Sequence, residues 1–140
     1  MATGKRAALI TGSGRNMGRA CAKELAQAGF NIVVNGSKDQ AACERVADEV
    51  RALGTDAVVV MGDVGDQAAV NSIAEVALQA FGRIDVLINN AAIRPASAFL
   101  DMTDEDLTHV MNVNCNAAVW LSRAFLPGMI EGGWGRLINF

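Results

Sequence analysis

The stretch from Arg6 to Ala20, RAALITGSGRNMGRA, constrains the fold of this chain more than any other. A short apolar run leads into Thr11 and Gly12, and a helical pattern begins near Gly18. Glycines let the backbone turn sharply and let a charged group approach it closely. The first amides of the following helix attract an anion, and the helix dipole adds to that attraction. The stretch therefore predicts either a cradle for a phosphate group or a plain tight turn between a strand and a helix.

Short apolar runs alternate with segments of helical periodicity along the chain. Predicted strands cover residues 6–11, 31–35, 57–61 and 86–89, with a fifth beginning at 137, and predicted helices cover about 17–28, 39–53, 66–81 and 103–129. This alternation is typical of a parallel sheet with helices on both faces. We expect one α/β domain over residues 1–140, a doubly wound Rossmann-type sheet truncated after the start of its fifth strand. In the first helix, we expect Ala20, Leu25 and Ala28 to supply the apolar contacts.

The composition argues against several classes of partner. Of the 140 residues, 51% are hydrophobic and 19% are charged, which is typical of a globular protein. The net charge of −3 gives no sign of nucleic-acid binding, and no apolar run approaches the roughly 18 residues that span a bilayer. The widely spaced Cys21, Cys43 and Cys115 form no CxxC motif, so we expect no metal site. We expect inert thiols at Cys21 and Cys43, and a reducing, cytoplasmic location.

The residues after the second strand indicate which dinucleotide a cradle of this kind would hold. An acidic residue about 20 residues beyond the glycine turn is the usual partner of the free ribose 2′-hydroxyl of NAD. That place is taken by Gly36, with Ser37 and Lys38 behind it and Arg15 in the turn itself. Two cations and a hydroxyl would suit the 2′-phosphate of NADP, which predicts NADP(H) in preference to NAD(H). The alternative is a solvated loop that precedes the second helix.

Polar residues also follow the third and fourth strands. Asp63 is suited to accept a hydrogen bond from an adenine amino group, or to cap the next helix. Asn89 and Asn90 end a buried strand and need hydrogen-bond partners, because unpaired buried amides are costly. The small Ala91 and Ala92 let another group approach the backbone. The two asparagines either tie neighbouring strands together or line a ligand site, and these roles are compatible.

Taken together, these motifs resemble the N-terminal half of a classical short-chain dehydrogenase/reductase, most closely the 3-oxoacyl-carrier-protein-reductase-like group. The resemblance covers essentially all 140 residues in the family's order and spacing. Its motifs are Thr11-Gly12-x3-Asn16-x-Gly18, Asp63-Val64, Asn89-Asn90-Ala91-Ala92, Val113-Asn114 and Gly135-Arg136-Leu-Ile-Asn139.

The resemblance implies a role for each matching position. Arg15 and Ser37 would meet the 2′-phosphate, with Lys38 beside them. Asn114 would be the asparagine of the family's catalytic tetrad, although from the sequence alone it is an ordinary polar helix position. The pyrophosphate and adjoining ribose would lie on Gly12, Ser13, Gly14, Arg15, Asn16, Met17 and Gly18. Adenine would lie between Asp63 and Val64, and the path to the nicotinamide would be lined by Asn90, Ala91 and Ala92.

Two positions depart from the family's pattern. Asn16 stands where the family usually has glycine, and asparagine tolerates a positive φ better than most residues. Ala92 also replaces a glycine, and its methyl group is a small change unless the backbone there needs a positive φ. We therefore expect the turn to survive both changes.

The function implied is NADP-dependent hydride transfer between the nicotinamide and a small carbonyl or alcohol substrate, by a homo-oligomer, either a dimer or a tetramer. The family's catalysis also needs a serine and a Tyr-x3-Lys pair, and this sequence contains no tyrosine. We therefore expect a cofactor-binding fragment that is inactive alone, and a partly exposed helix position for His109. The alternatives are a non-catalytic NADP-binding module or sensor, or another Rossmann-type protein such as a methyltransferase. The run from Asn89 to Ala92 and the missing carboxylate after the second strand oppose the methyltransferase.

Overall fold

A five-stranded parallel sheet forms the centre of the computed structural model, which describes residues 4–140. The strand order is β3-β2-β1-β4-β5, so successive connections run in opposite directions on either side of β1. The predicted doubly wound sheet is therefore confirmed, and its switch point lies between β1 and β4. The strands are β1 (Ala7–Ile10), β2 (Asn31–Gly36), β3 (Ala57–Met61), β4 (Val86–Asn89) and β5 (Arg136–Asn139).

Helices cover both faces of this sheet. The long helix predicted over 103–129 is divided by a π-helical turn at Asn112–Asn116, which the periodicity of the sequence did not indicate. No helix within residues 4–140 is long and apolar enough to cross a membrane. The helices are α1 (Asn16–Gln27), α2 (Gln40–Ala52), α3 (Gln67–Phe81), α4 (Asp104–Met111) and α5 (Ala117–Glu131), with a short 3₁₀ turn at Phe99–Asp101.

The strands are apolar throughout because both faces of the sheet are buried. Successive side chains of a strand point to opposite faces, so Leu9 packs towards α3 and α5 while Ile10 packs towards α1 and α2. Both side chains are fully buried. On the α3 and α5 side, Leu121 and Phe125 complete the larger of the two cores.

Helix α1 meets the sheet only partly through the predicted residues: Leu25 is half-buried and packs against the core, as predicted. The buried residues of α1 are Gly18, Ala22 and Ala26, spaced four apart along one side of the helix. Ala20 and Ala28 are exposed, which corrects the prediction that they contact the core. The row of small residues allows the helix to approach the strands closely, and Gly18 fixes that row because it packs against the turn after β1.

Side chains cap three of the helices. Asp39 accepts a hydrogen bond from the amide of Ala42 at the start of α2, and Asp66, rather than Asp63, caps α3. At α4, Thr103 and Asp106 form the predicted capping box. The hydrogen bond from the Thr103 hydroxyl, with a second from its backbone amide, holds the pKa of Asp106 below its ordinary value.

Asp85 joins three strands at the amino-terminal edge of the sheet, opposite the switch point. Its buried carboxylate accepts a hydrogen bond from the amide of Ala7 at 3.0 Å and from Nε of Arg83 at 2.8 Å. Its backbone exchanges further hydrogen bonds with Ala7 and Arg136, in β1 and β5. The side chain of Asp85 therefore connects the starts of β1 and β4, and the backbone carbonyl oxygen of the same residue accepts a hydrogen bond from β5.

We expect Asp85→Ala to lower the free energy of unfolding by about 2 kcal/mol, because a buried amide and a partly buried guanidinium lose their acceptor. Urea denaturation measures the change. Asp48→Ala is the matched control, since Asp48 also pairs with an arginine but is 75% exposed, and such surface pairs contribute little. Equal losses in the two variants would contradict the role given to Asp85.

Candidate functional site

A cleft of about 540 Å³ opens at the carboxyl ends of β1 to β4, beside the switch point. Its volume lies within the usual range for small-molecule sites, about 300–1,000 Å³. Helix α4 and the π turn contribute His109 and Val113 to the same cleft. The predicted residues that line it are Gly12, Gly14, Arg15, Asn16, Met17, Gly18, Ser37, Lys38, Asp63, Val64, Asn90, Ala91 and Ala92.

The glycines of the turn after β1 are required by space and by backbone conformation. Gly12 has a φ of +63°, and a Cβ there would lie 3.1 Å from Cα of Ala91. A Cβ on Gly18 would lie only 2.6 Å from the carbonyl oxygen of Gly12, a distance that real Cβ atoms essentially never show. The turn can therefore lie close to both α1 and β4 only with glycine at these two positions.

Asn16 adopts the left-handed conformation with a φ of +49°, alone among the non-glycine residues of 4–140. The expectation that asparagine could replace glycine at this place is confirmed. Ala92 has no positive φ, so its methyl group meets no backbone strain. Both departures from the family's pattern are therefore compatible with the turn.

Ser13 is fully buried and does not line the cleft, which corrects its prediction as a residue that holds the ligand. Its hydroxyl donates to the carbonyl oxygen of Ile10 at 2.8 Å and accepts from the amide of Asn35 at 3.1 Å. These bonds satisfy backbone groups where β1 and β2 end. The side chain of Ser13 therefore stabilises the turn from the side that faces away from the cleft.

Asn35 is a site residue that the sequence analysis missed. Its side chain is 1% exposed, and its Oδ1 accepts a hydrogen bond from the amide of Gly12. Its Nδ2 donates to the carbonyl oxygens of Val60 and Gly62, at 3.0 and 3.2 Å. The signal was a polar residue at the carboxyl end of the apolar strand NIVVN, where a buried amide needs several partners.

Asn90 and Thr11 hold the other side of the turn. The Thr11 hydroxyl accepts hydrogen bonds from the amides of Asn90 and Ala91, both at 2.9 Å. Nδ2 of Asn90 donates to the carbonyl oxygens of Thr11 and Gly12, at 2.9 and 3.1 Å. The two predicted roles of Asn90 therefore coexist, since it ties β4 to β1 and also lines the cleft.

Two cations, Arg15 and Lys38, lie at one end of the cleft. Arg15, Ser37 and Lys38 are exposed at its rim. Helix α1 begins there without a side-chain cap and without an acidic residue in its first turn, in contrast with α2 and α3, which aspartates cap. The helix end therefore keeps its attraction for an anion in the cleft.

Asp63 lies further along the cleft and is half-exposed. Its Oδ1 accepts a hydrogen bond from the amide of Gly65 at 2.8 Å, and its Oδ2 lies 3.5 Å from Nε2 of His109. A Cβ on Gly65 would lie 2.6 Å from Cγ2 of Val113, so glycine lets the loop after β3 pack against the π turn. His109 is half-exposed, as predicted, and it lines the cleft, which the sequence analysis had not indicated.

Asn114 lies in the π-helical turn, outside the main cleft. Its Oδ1 accepts from the amide of Ile93 and its Nδ2 donates to the carbonyl oxygen of Ile93, both at 2.9 Å. The Asn114 side chain therefore forms a pair of hydrogen bonds with the backbone of Ile93, as a neighbouring strand would. It lines a smaller cavity of about 160 Å³, which shares Val64, Ala91, Ala92 and Val113 with the main cleft.

Removal of the Asn35 side chain tests how far the turn depends on it. We expect Asn35→Ala to lower the free energy of unfolding by about 2–3 kcal/mol, because one buried and two partly buried backbone groups lose partners. Amide hydrogen exchange at Gly12 should become faster. Asn31→Ala is the control on the same strand, because Asn31 is also buried but bonds only the amide of Asp56, far from the turn. Equal exchange at Gly12 in the two variants would contradict this role.

Known proteins share both the sequence pattern and the fold. Residues 6–140 match the family model described as short chain dehydrogenase. Versicolorin reductase stcU of Emericella nidulans is 35% identical to this chain over 91% of the chain and 48% of its own length. The 3-oxoacyl-[acyl-carrier-protein] reductase FabG of Staphylococcus aureus is 32% identical over 96% of the chain and 54% of its own length. This chain thus spans about half the length of the curated relatives it matches.

Two solved structures extend the comparison. A metagenomic short-chain oxidoreductase in complex with NADP has a TM-score of 0.89 and 32% identity, over 96% of this chain and 60% of that one. A short chain dehydrogenase of Burkholderia cenocepacia, also in complex with NADP, has a TM-score of 0.83 and 34% identity, over 87% of this chain and 50% of that one. The resemblance that the motifs predicted is therefore confirmed, and the chain belongs to the short-chain dehydrogenase family.

Proposed function

We propose that this chain is the cofactor-binding part of an NADP(H)-dependent oxidoreductase that acts on a small carbonyl or alcohol. The observation that carries the proposal is the cleft at the switch point, where a glycine turn and an uncapped helix end meet a cluster of cations. The fold of the family and the NADP-bound relatives support the same assignment.

The turn after β1 fits a pyrophosphate. Gly12, Gly14 and Gly18 line the cleft without side chains, and Asn16 completes the turn with its positive φ. In the proposal, the amides at the start of α1 and the helix dipole bind the diphosphate. Because Thr11 and Asn90 fix the turn from the β4 side, it needs little rearrangement to receive the ligand.

The adenosine end supports NADP(H) in preference to NAD(H). Gly36 carries no carboxylate that would repel a 2′-phosphate, and Arg15, Ser37 and Lys38 are exposed around it. Asp63 would accept a hydrogen bond from the adenine amino group, since half of its side chain remains exposed. The base would thus rest against the loop after β3.

The nicotinamide end would lie along Asn90, Ala91 and Ala92, towards the smaller cavity beside Asn114. When bound, the cofactor supplies or accepts the hydride, and this part of the chain holds and orients it. We propose that Asn114 acts in the catalytic set from the π turn, since π turns of this kind are frequent at functional sites. The family's catalysis also needs a serine and a Tyr-x3-Lys pair, and these 140 residues contain no tyrosine.

An oligomer and a reducing environment are part of the proposal. Large apolar side chains are exposed along α4 and α5, among them Leu107, Met111, Val119 and Ile130, which supports a homo-oligomer that covers them. All three cysteines are free thiols, which supports a reducing, cytoplasmic location.

Reversal of the charge at position 15 tests the 2′-phosphate assignment. We expect Arg15→Glu to raise the Kd for NADPH at least about tenfold, because a like charge beside the phosphate costs more than 1.4 kcal/mol. The Kd for NADH should change less than about threefold, since NADH has no 2′-phosphate. Arg123→Glu makes the same charge change on α5, outside the cleft, and controls for net charge. Calorimetric titration measures both constants, and equal weakening of the two nucleotides would contradict the assignment.

Turnover in the complete protein tests the reaction. We expect NADPH to be oxidised when small carbonyl compounds are added, with loss of NADPH absorbance as the measurement. Binding of NADPH without turnover over a broad carbonyl panel would favour a non-catalytic sensor. Tighter binding of S-adenosylmethionine than of NADPH would contradict the dinucleotide site itself.

A further inference from the structure

The sulfur of Cys43 lies directly behind Gly36, at the end of β2. Cys43 is on the first turn of α2 and is 1% exposed. A Cβ built on Gly36 would lie 2.5 Å from Sγ of Cys43, a separation that real Cβ atoms essentially never show. The next atoms that this Cβ would meet belong to Met61 and lie at 3.7 and 4.0 Å, which is ordinary van der Waals contact. Among the nearest atoms, therefore, the thiol alone blocks a side chain at position 36.

The backbone does not demand glycine at this position. The glycines with a positive φ among residues 4–140 are at other places in the chain, so an L side chain at position 36 would meet no left-handed strain. This sets Gly36 apart from Gly12, where conformation and space both require glycine. A side chain at position 36 is excluded by lack of space, because Cys43 on α2 occupies that space.

The Cys43 thiol lies between the end of β2 and the turn after β1. Its Sγ lies 3.1 Å from the place of a Cβ on Gly14, so glycines of two different turns flank it. It belongs to the core formed by α1, α2 and the sheet. Burial, with smaller contributions from Asp39 and Glu44, raises the pKa of the Cys43 thiol, which therefore stays neutral and packs as a small apolar group.

We infer that Cys43 sterically restricts position 36 to glycine, because its sulfur fills the space that any side chain there would need. Position 36 is the place where an acidic residue would bind the ribose 2′-hydroxyl of NAD and repel the 2′-phosphate of NADP. Cys43 keeps that carboxylate out although it need not touch the ligand itself. The inference rests on the proposed function, and it adds that Cys43 on α2 keeps a carboxylate from standing beside the 2′-phosphate.

Four proteins test the inference: wild type, Gly36→Asp, Cys43→Ala and the double variant, each titrated with NADPH and with NADH. Wild type and Cys43→Ala should both prefer NADPH. Gly36→Asp alone should bind both nucleotides at least about tenfold more weakly than wild type binds NADPH, since the clash displaces the end of β2. The double variant should bind NADH at least about tenfold more tightly than Gly36→Asp does, and should prefer NADH.

Two results would overturn the inference. One is that Gly36→Asp alone binds NADH as tightly as the double variant. The other is that Cys21→Ala rescues Gly36→Asp as well as Cys43→Ala does, since Cys21 is half-buried on α1 and serves as the matched control. Wild-type protein that binds neither nucleotide would overturn the proposed function, and with it the specificity role.

A second pair of variants keeps the test decisive if Gly36→Asp does not fold. Gly36→Ala adds only the Cβ, and it should lower the melting temperature when Cys43 is present. Cys43→Ala should remove most of that loss, which makes the two substitutions non-additive. Additive changes in melting temperature would refute the steric conflict, whether or not the protein binds a nucleotide.

Discussion

The turn after β1 leaves buried backbone N–H and C=O groups at the point where the strand order reverses, and the cleft depends on how they are satisfied. Asn35 at the end of β2 forms hydrogen bonds with these groups, as do Thr11 after β1 and Asn90 after β4. Ser13, which is buried below the turn, forms others. Each of these side chains serves backbone groups that belong to another element or to the turn itself. A buried network of this kind is strong when complete and costly when one member is missing. The open shape of the cleft is therefore maintained by side chains whose hydrogen bonds go to the backbone around it.

The strand–helix alternation could be predicted from the sequence because it depends on local patterns. The bounds of β3 and β4 agree with the predicted runs 57–61 and 86–89, since both are short, apolar and covered on both faces. Most residues that line the cleft could also be predicted, because in a parallel sheet they follow the strands directly. The same argument placed Asn90 beside the turn, because a buried amide at a strand end needs partners.

The remaining features depend on partners distant in the chain. The partners of Asn35 and Ser13 are set by what lies opposite them in space, and the buried face of α1 is set by contact of Gly18 with the turn. The obstacle behind Gly36 is similar, because Cys43 looks like one more apolar helix position in the sequence. Gly12 and Gly36 both follow a strand in the sequence, but glycine is required at them for different reasons. The backbone conformation requires it at Gly12, and the neighbouring helix requires it at Gly36.

The π-helical turn at Asn112–Asn116 sets the phase between α4 and α5. A π turn holds one residue more than an α-helical turn, so it shifts all later side chains by about 100° around the helix axis. The row of Leu121 and Phe125 faces the sheet only because of that shift. Loss of a single residue here would rotate this row away from Leu87 and would carry Asn114 away from Ile93. Chain length in this turn is therefore fixed by the core and by the cleft at the same time.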